Sequence, residues 1–321
     1  MKRKLLKTIS ALLALATLTL AFSGCGKKEK DTYTVGICQL VQHEALDAAT
    51  EGFKAALKDK LGDKVIFDEQ NASGETTNCT TIVSKFVSDK VDLIMANATG
   101  ALTAASQATD TIPIVATSIT DYATALDIKD WNGKTGFNVT GASDLAPLTE
   151  QAKMIKELLP DAKKIGILYC SSEANSKYQS TVIQKELTAL GYTCKEYTFV
   201  DTNDVTAVTQ QAVADSDAIF TPTDNTVASN TTAINNIAEP AKVPIIAGEE
   251  GICKGCGVAT LSISYYDMGY KAGEMAYEIL VNGADPGAMD IQYVSDLTKK
   301  YEKERAQAIG LKIPEGYEAI A

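Results

Sequence analysis

Three acidic residues and a set of hydroxyls and amides carry the chemistry that this sequence offers. Asp224, Glu249 and Glu250 follow apolar, strand-like runs in the second half of the chain. A carboxylate at such a position suits an ammonium group. The matching places in the first half carry Thr99, Ser118 and Thr120, and a connecting segment adds Ser143 and Asp144. Hydroxyls beside helix N-termini suit a carboxylate. Together the two inventories would satisfy a zwitterionic α-amino acid. Gln39, His43, Asn175, Asn225 and Tyr265 complete the candidate ligand-binding set. Each residue also has an ordinary reading, since Thr99, Ser118, Asn175 and Asp224 all sit where a helix N-cap belongs. Convergence of six loop ends, three from each half, points to a cleft, although any one residue is read equally well as a cap.

Other chemistries find little support. His43 is the only histidine, and a catalytic triad or metal centre needs several placed partners. Cys253 and Cys256 form a single CxxC in a glycine-rich segment, which reads as a loop staple or two reduced thiols rather than a zinc site. Gly133-Lys-Thr135 lacks the earlier glycine of a phosphate loop, and no GxGxxG follows a strand. No enzymatic activity, no metal and no cofactor are therefore expected.

The elements that must position these residues repeat along the chain. Strand-like runs alternate with helix-length amphipathic segments, the pattern of α/β layers with parallel sheets. Strands are expected at Tyr33–Gln39, Val65–Phe67, Asp92–Ala96 and Ile112–Ala116, with helices near 43–60, across Cys79–Val87 and at 100–109. The order recurs with strands at Lys164–Cys170, Thr193–Phe199, Asp217–Phe220 and Val243–Ala247, and helices at 175–190, 204–214 and 225–238. Local wording recurs too. Asp92-Leu-Ile-Met-Ala-Asn-Ala-Thr-Gly100 parallels Asp217-Ala-Ile-Phe-Thr-Pro-Thr-Asp-Asn225, and Ile112-Pro-Ile-Val-Ala parallels Val243-Pro-Ile-Ile-Ala. Two lobes of like, Rossmann-like topology follow. Further elements at 258–264, 266–281 and 291–294 imply a chain that crosses between lobes more than once, near 138–144, 263–266 and 284–288. The expected division is 33–140 plus 264–285 for lobe 1, 141–263 plus 286–296 for lobe 2, and 297–321 for an outer helix and tail.

The N-terminus is read as an address. Lys2, Arg3, Lys4 and Lys7 precede an apolar run from Ile9 to Phe22, which ends in Ser23, Gly24 and Cys25. This is the layout of a secretory signal, too short to span a bilayer as a helix. Residues 1–24 are expected to be removed and Cys25 to be lipidated, with 25–32 as a tether. Losing those four positive charges takes the net charge from −11 to about −15. A nucleic-acid partner is thereby disfavoured, because such a chain has no basic footprint.

The ordered set Gly36-Ile-Cys-Gln-Leu-Val-Gln-His-Glu-Ala-Leu-Asp47, Gly141-Ala-Ser-Asp144, Ser172-Glu-Ala-Asn-Ser176, Pro222-Thr-Asp-Asn225 and Gly248-Glu249 resembles ABC substrate-binding lipoproteins of the tryptophan/tyrosine transport type. The resemblance covers nearly the whole chain after the tether. It implies a type I periplasmic-binding-protein fold, an ABC permease and ATPase as partners, a monomer, and an extracytoplasmic position on the outer face of the cytoplasmic membrane. It further implies Thr99, Ser118 and Thr120 against a ligand carboxylate, and Asp224 and Glu249 against its ammonium. The same fold could instead receive a sugar or nucleoside. The lipidation reading has a direct test: Cys25→Ala should release soluble protein or leave an unprocessed precursor in a membrane fractionation. Unchanged processing and membrane retention would refute it.

Overall fold

The computed structural model describes residues 30–320, so the expected signal segment and Cys25 lie outside the described residues. The chain begins with β1 (Tyr33–Gln39), almost wholly buried, and α1 (Glu44–Leu61), whose Leu46, Ala49, Phe53 and Leu57 share one face. There follow β2 (Val65–Asn71), α2 (Thr76–Asp89), β3 (Leu93–Asn97), α3 (Thr99–Ala108), β4 (Ile114–Ile119), the short α4 (Tyr122–Ala125) and β5 (Val139–Ser143). Runs such as Leu93-Ile-Met-Ala-Asn97 are buried at every residue, as parallel strands covered by helices on both faces must be.

After β5 the chain crosses to a second lobe. There it forms α5 (Leu148–Leu158), β6 (Lys164–Cys170), α6 (Ala174–Ala189), β7 (Thr193–Phe199), α7 (Val205–Asp215) and β8 (Ala218–Thr221). Next come α8 (Asn225–Ser229), α9 (Thr231–Ala238), β9 (Ile245–Ala247), α10 (Glu250–Cys256) and β10 (Ala259–Ser262). A return crossing leads to α11 (Tyr265–Leu280) and β11 (Gln292–Tyr293) in the first lobe. The last crossing leads to β12 (Thr298–Tyr301), α12 (Lys303–Ile309) and β13 (Glu318–Ala319) in the second.

The first sheet has the order β11-β5-β4-β3-β1-β2 and the second β13-β12-β10-β9-β8-β6-β7. All pairings are parallel except β10 with β12. Each sheet has an apolar core on both faces. The α/β class, the paired lobes and the multiple crossings agree with the sequence reading. No helix among the described residues is long and apolar enough to cross a membrane.

The details of the third crossing differ from the expectation. Residues 286–296 do not belong to lobe 2, because β11 pairs with β5 at the edge of the first sheet and Ile291 is buried in that lobe's core. The crossing therefore lies at 294–297 rather than 284–288. Leu297 packs against the cores of both lobes and marks the pivot. The expected outer helix and tail of 297–321 begins as β12, an inner strand between β10 and β13 whose partly exposed Thr-Lys-Lys-Tyr carries no apolar alternation to reveal it. The first boundary also moves, since β5 lies wholly in lobe 1 and the chain leaves it at 144–147. Helix 225–238 is broken at Asn230, and α5 was not expected from the sequence.

Two tight contacts fix α11 to lobe 1 although it follows a strand of lobe 2. A Cβ on Gly52 would stand 2.0 Å from the Tyr266 carbonyl oxygen, and one on Gly269 would stand 2.0 Å from that of Ala49. Only glycine permits this approach of α1 and α11.

The CxxC pair lies on α10, not in a loop, and both thiols are free and buried. Arg305 on α12 explains how this short glycine-containing helix holds together. Its guanidinium donates to the carbonyls of Cys253 (3.0 Å), Lys254 (3.2 Å), Gly255 (3.2 Å) and Gly257, and to Asn235 Oδ1 (2.7 Å). It thus supplies donors to the carbonyls at the helix end, of which only that of Cys253 also accepts from the capping amide of Gly257. Arg305→Ala should lower stability by roughly 2–4 kcal/mol, the scale of leaving several such groups without a donor. Arg305→Lys should recover little of it, because an ammonium lacks the planar fork. Urea denaturation of the three proteins checks this; equal midpoints for wild type and Arg305→Lys would contradict it.

Candidate functional site

Ligands of open parallel sheets bind beyond the carboxyl ends of the strands, where loops enter helices. Here the carboxyl ends of β1, β3 and β4 face those of β6, β8 and β9 across the cleft. The space left between them is a cavity of about 20 Å³, room for about one water and far below the about 300–1,000 Å³ of an open small-molecule site. Of the sequence candidates, His43, Ser118, Asn175, Asp224, Asn225, Glu249 and Tyr265 line it. Leu46, Asp144, Thr223 and Ala228 join them.

The other four candidates stand elsewhere. Gln39 is committed within lobe 1: it donates to Asp47 Oδ1 (2.6 Å) and accepts from Thr50 Oγ1 (2.6 Å), which in turn accepts from Asn97. Thr99 faces a smaller neighbouring space with Asp121, Asn175 and Tyr178. Ser143 donates to the Thr120 carbonyl (3.1 Å) and accepts from the Leu145 amide, turning the chain into the first crossing. Thr120 donates to Asp144 Oδ1 (3.1 Å).

The lobes touch directly around the cavity. Gln179 Nε2 of lobe 2 lies 3.3 Å from Thr120 Oγ1, and the hydroxyls of Thr120 and Thr223 are 3.4 Å apart. His43 Nε2 lies 3.2 Å from Asn225 Oδ1, and at the rim Lys254 pairs with Glu44 at 3.1 Å. Glu173, at the N-cap of α6, orients the lobe 2 amides, accepting from Asn175 Nδ2 and from both the backbone and the side chain of Asn225.

Three buried carboxyl groups dominate the electrostatics. Asp224 accepts from Cys170 N (2.7 Å), Ser176 Oγ (2.7 Å) and Val227 N (2.8 Å), capping α8. Burial, and then the nearby Glu173, push it up to about 8 against those hydrogen bonds. Glu249 caps α10 with both oxygens, accepting from Gly251 N and Ile252 N at 2.6 Å each. Burial raises it to about 7. Asp144 accepts from Thr120 and, at 3.0 Å, from Tyr265 Oη, and burial raises it to about 6. Burial lowers His43. Desolvation thus sets all four directions.

Ser118 is the strained residue of the site. Its φ is +57°, in the left-handed region that a side chain occupies only when its surroundings impose it. The pairing of β4 with β5 shifts register between Ala116 and Ile119, around this residue. Its Oγ is buried and has no hydrogen-bond partner among the described residues. Among these residues no three metal-ligating side chains gather. What the arrangement offers is a buried pocket with carboxylates, amides and one hydroxyl that has no partner among the described residues.

Asp144, which follows Ser143 in the connecting segment, is noted there but not placed in the candidate ligand-binding set, and it lines the cavity. A signal was present, for it closes the segment Gly141-Ala-Ser-Asp144 at the end of a strand. Its burial depends on Tyr265, 121 residues away.

Comparison with known proteins bears on this geometry. The family model described as ABC transporter substrate binding protein matches residues 34–321. A tyrosine-binding protein of Clostridioides difficile (strain R20291) is 40% identical over 257 residues, 79% of this chain and 73% of that one. The structure of an ABC domain in complex with L-Trp from Streptococcus pneumonia superposes with a TM-score of 0.85 at 30% identity, covering 90% of this chain and all of that one. A ligand-free, open substrate binding protein with adhesive properties from Clostridium difficile gives 0.69 at 34% identity, over 90% and 99% of the two chains. The lobes here are thus disposed more like the tryptophan complex than the open form. The architecture is the type I periplasmic-binding-protein fold.

Closing an empty cleft over these groups has a pH signature. The three carboxyls have raised pKa values when enclosed, so the closed form binds more protons than the open one between about pH 4 and 8. Raising the pH through that window disfavours the empty closed form, and His43, lowered by burial, opposes this only near its own titration. Small-angle scattering of ligand-free protein should show a radius of gyration that grows from pH 5 to pH 8. A constant radius would mean that closure does not desolvate these groups.

Proposed function

The chain belongs to the family of ABC transporter substrate binding proteins, and from that premise we propose that it is the extracytoplasmic receptor of an ABC importer for an aromatic amino acid, tyrosine or tryptophan. The observation that carries this reading is the enclosed cavity with Asp144, Asp224 and Glu249 on its wall and no lysine or arginine among its lining residues. Such a site calls for a cationic group on the ligand, and an α-ammonium is the right size and charge.

The ligand carboxylate must then be met without a basic side chain. Helix α1 is 18 residues long, its N-cap His43 makes no side-chain capping bond, and Leu46 of its first turn lines the cavity. Its free amides and the unpartnered Ser118 hydroxyl supply donors where a carboxylate is favoured. Of the three hydroxyls assigned to the carboxylate from sequence, Ser118 fits this role best, since Thr120 serves Asp144 and Thr99 faces the adjoining space. The ring would lie against Leu46, Ala228 and Tyr265. The names of the relatives that bind tyrosine and tryptophan support an aromatic side chain.

Binding and release, without chemical change to the ligand, are the whole activity in this reading. A permease with a cytoplasmic ATPase is the partner, Cys25 carries the lipid that holds the protein at the membrane, and the receptor acts as a monomer. Titration calorimetry with tyrosine, tryptophan, phenylalanine, leucine, ribose and adenosine tests the ligand class. Saturable heats are expected from tyrosine or tryptophan, weaker ones from leucine, and none from ribose or adenosine. Tight binding of ribose or adenosine with no response to any amino acid would overturn the proposal.

A further inference from the structure

We propose that Asp144 is the specificity-determining residue that selects a ligand bearing a protonated amine and ties its capture to the hinge; this rests on the amino-acid reading above. The three cavity carboxylates are not equivalent. Both oxygens of Asp224 are held by donors of its own lobe, two of them backbone amides, and both oxygens of Glu249 are held by backbone amides of the helix it caps. Those bonds belong to lobe 2 alone and are present whether the cleft is open or closed. Asp144 accepts from two side-chain hydroxyls, Thr120 and Tyr265, and otherwise only from its own backbone amide, with no helix N-terminus behind it. Each oxygen keeps capacity for another donor.

No cationic side chain of the described residues stands within ion-pair distance of Asp144, although the residue is only 5% exposed. A buried carboxylate without a counter-charge is an unfavourable arrangement that a ligand ammonium relieves. A second and independent feature points to a ligand at the same place. Ser118 Oγ, on a residue 6% exposed, lines this cavity without a partner. A hydroxyl donor and a carboxylate on one wall present complementary contacts for an amino acid's polar end.

The position of Asp144 gives the contact its mechanical consequence. It opens the first crossing, at 144–147, and its partner Tyr265 begins α11 directly after the second crossing, at 263–264. Its other partner, Thr120, touches Thr223 and Gln179 of lobe 2. One carboxylate therefore joins two hinge segments and an interlobe contact. An ammonium drawn to it brings both crossings and the lobe 2 wall to a single point.

The test compares each amino acid with the analogue that lacks the amine: L-tyrosine with 3-(4-hydroxyphenyl)propionate, and L-tryptophan with indole-3-propionate. Wild type should prefer the amino acid by at least about 100-fold. Asp144→Asn, matched in shape, should lose most of that preference while binding the des-amino analogue within a few-fold of wild type. Tyr265→Phe should keep the preference but show less ligand-induced compaction by small-angle scattering. Full retention of the preference in Asp144→Asn, with its loss in Glu249→Gln or Asp224→Asn, would overturn the assignment. Unchanged compaction in Tyr265→Phe would overturn the hinge coupling. A wild type that binds neither amino acid would instead refute the amino-acid reading itself. Carboxyl ¹³C resonances of labelled aspartate give a readout needing no change at 144. The signal perturbed by Tyr265→Phe should move with L-tyrosine and stay with the analogue; the opposite response would count against Asp144 even if Asp144→Asn does not fold.

Discussion

Enclosing negative charge without a positive partner is the constraint around which this molecule is arranged. Asp144, Asp224 and Glu249 are all buried where the lobes meet, and burial raises the pKa of each. Two of the three are stabilised by amide dipoles at helix starts, which lets lobe 2 carry them at rest. The third has two hydroxyl donors and its own amide, and caps no helix. A cleft built this way is held shut most firmly when something cationic lies inside, so closure and ligand capture become one event.

The hinge can serve that event because its segments cross together while its anchors stay rigid. Helix α11 leaves a strand of lobe 2 yet is pinned to lobe 1 through the glycine contacts with α1. Leu297 touches both cores at the last crossing, and β11 ties the preceding segment to the first sheet. Rotation is thereby confined to 144–147, 263–264 and 294–297, the short links that absorb backbone change in hinge closure. The direct interlobe contacts of Thr120, His43 and Lys254 are few, and the rim ion pair is half-exposed and weak. Such a closed form can open again.

The single arginine among the described residues serves the same end from a distance. Arg305 gathers the carbonyls at the end of α10, while Glu249 gathers the amides at its start. A seven-residue helix with glycines inside is thus held at both ends, which fixes the Glu249 side of the cavity. With arginine spent on structure, the proposed recognition of a ligand carboxylate rests on backbone amides and hydroxyls.

Sequence alone determined the elements, because buried parallel strands must be apolar throughout and their helices must be apolar on one face. Hence β1 and β6 were legible to the residue, and the repeated wording around Asp92 and Asp217 revealed two lobes. Seven cavity residues were also legible, since loops at strand carboxyl ends are where ligands meet such sheets. What the sequence left open were matters of contact between distant segments. Whether 286–296 joins one lobe or the other depends on an edge pairing of two residues, which leaves no periodic trace. Thr99, Thr120, Ser143 and Gln39 have the residue types of a binding site, yet hydrogen bonds to partners elsewhere in the fold, or a different facing, withdraw them from the cavity. Asp144 shows the reverse: an aspartate in a turn is unremarkable until Tyr265 and Thr120 close over it. Local pattern encodes what a segment forms, whereas the environment of a charge is set by everything packed around it, and only the tertiary structure supplies that.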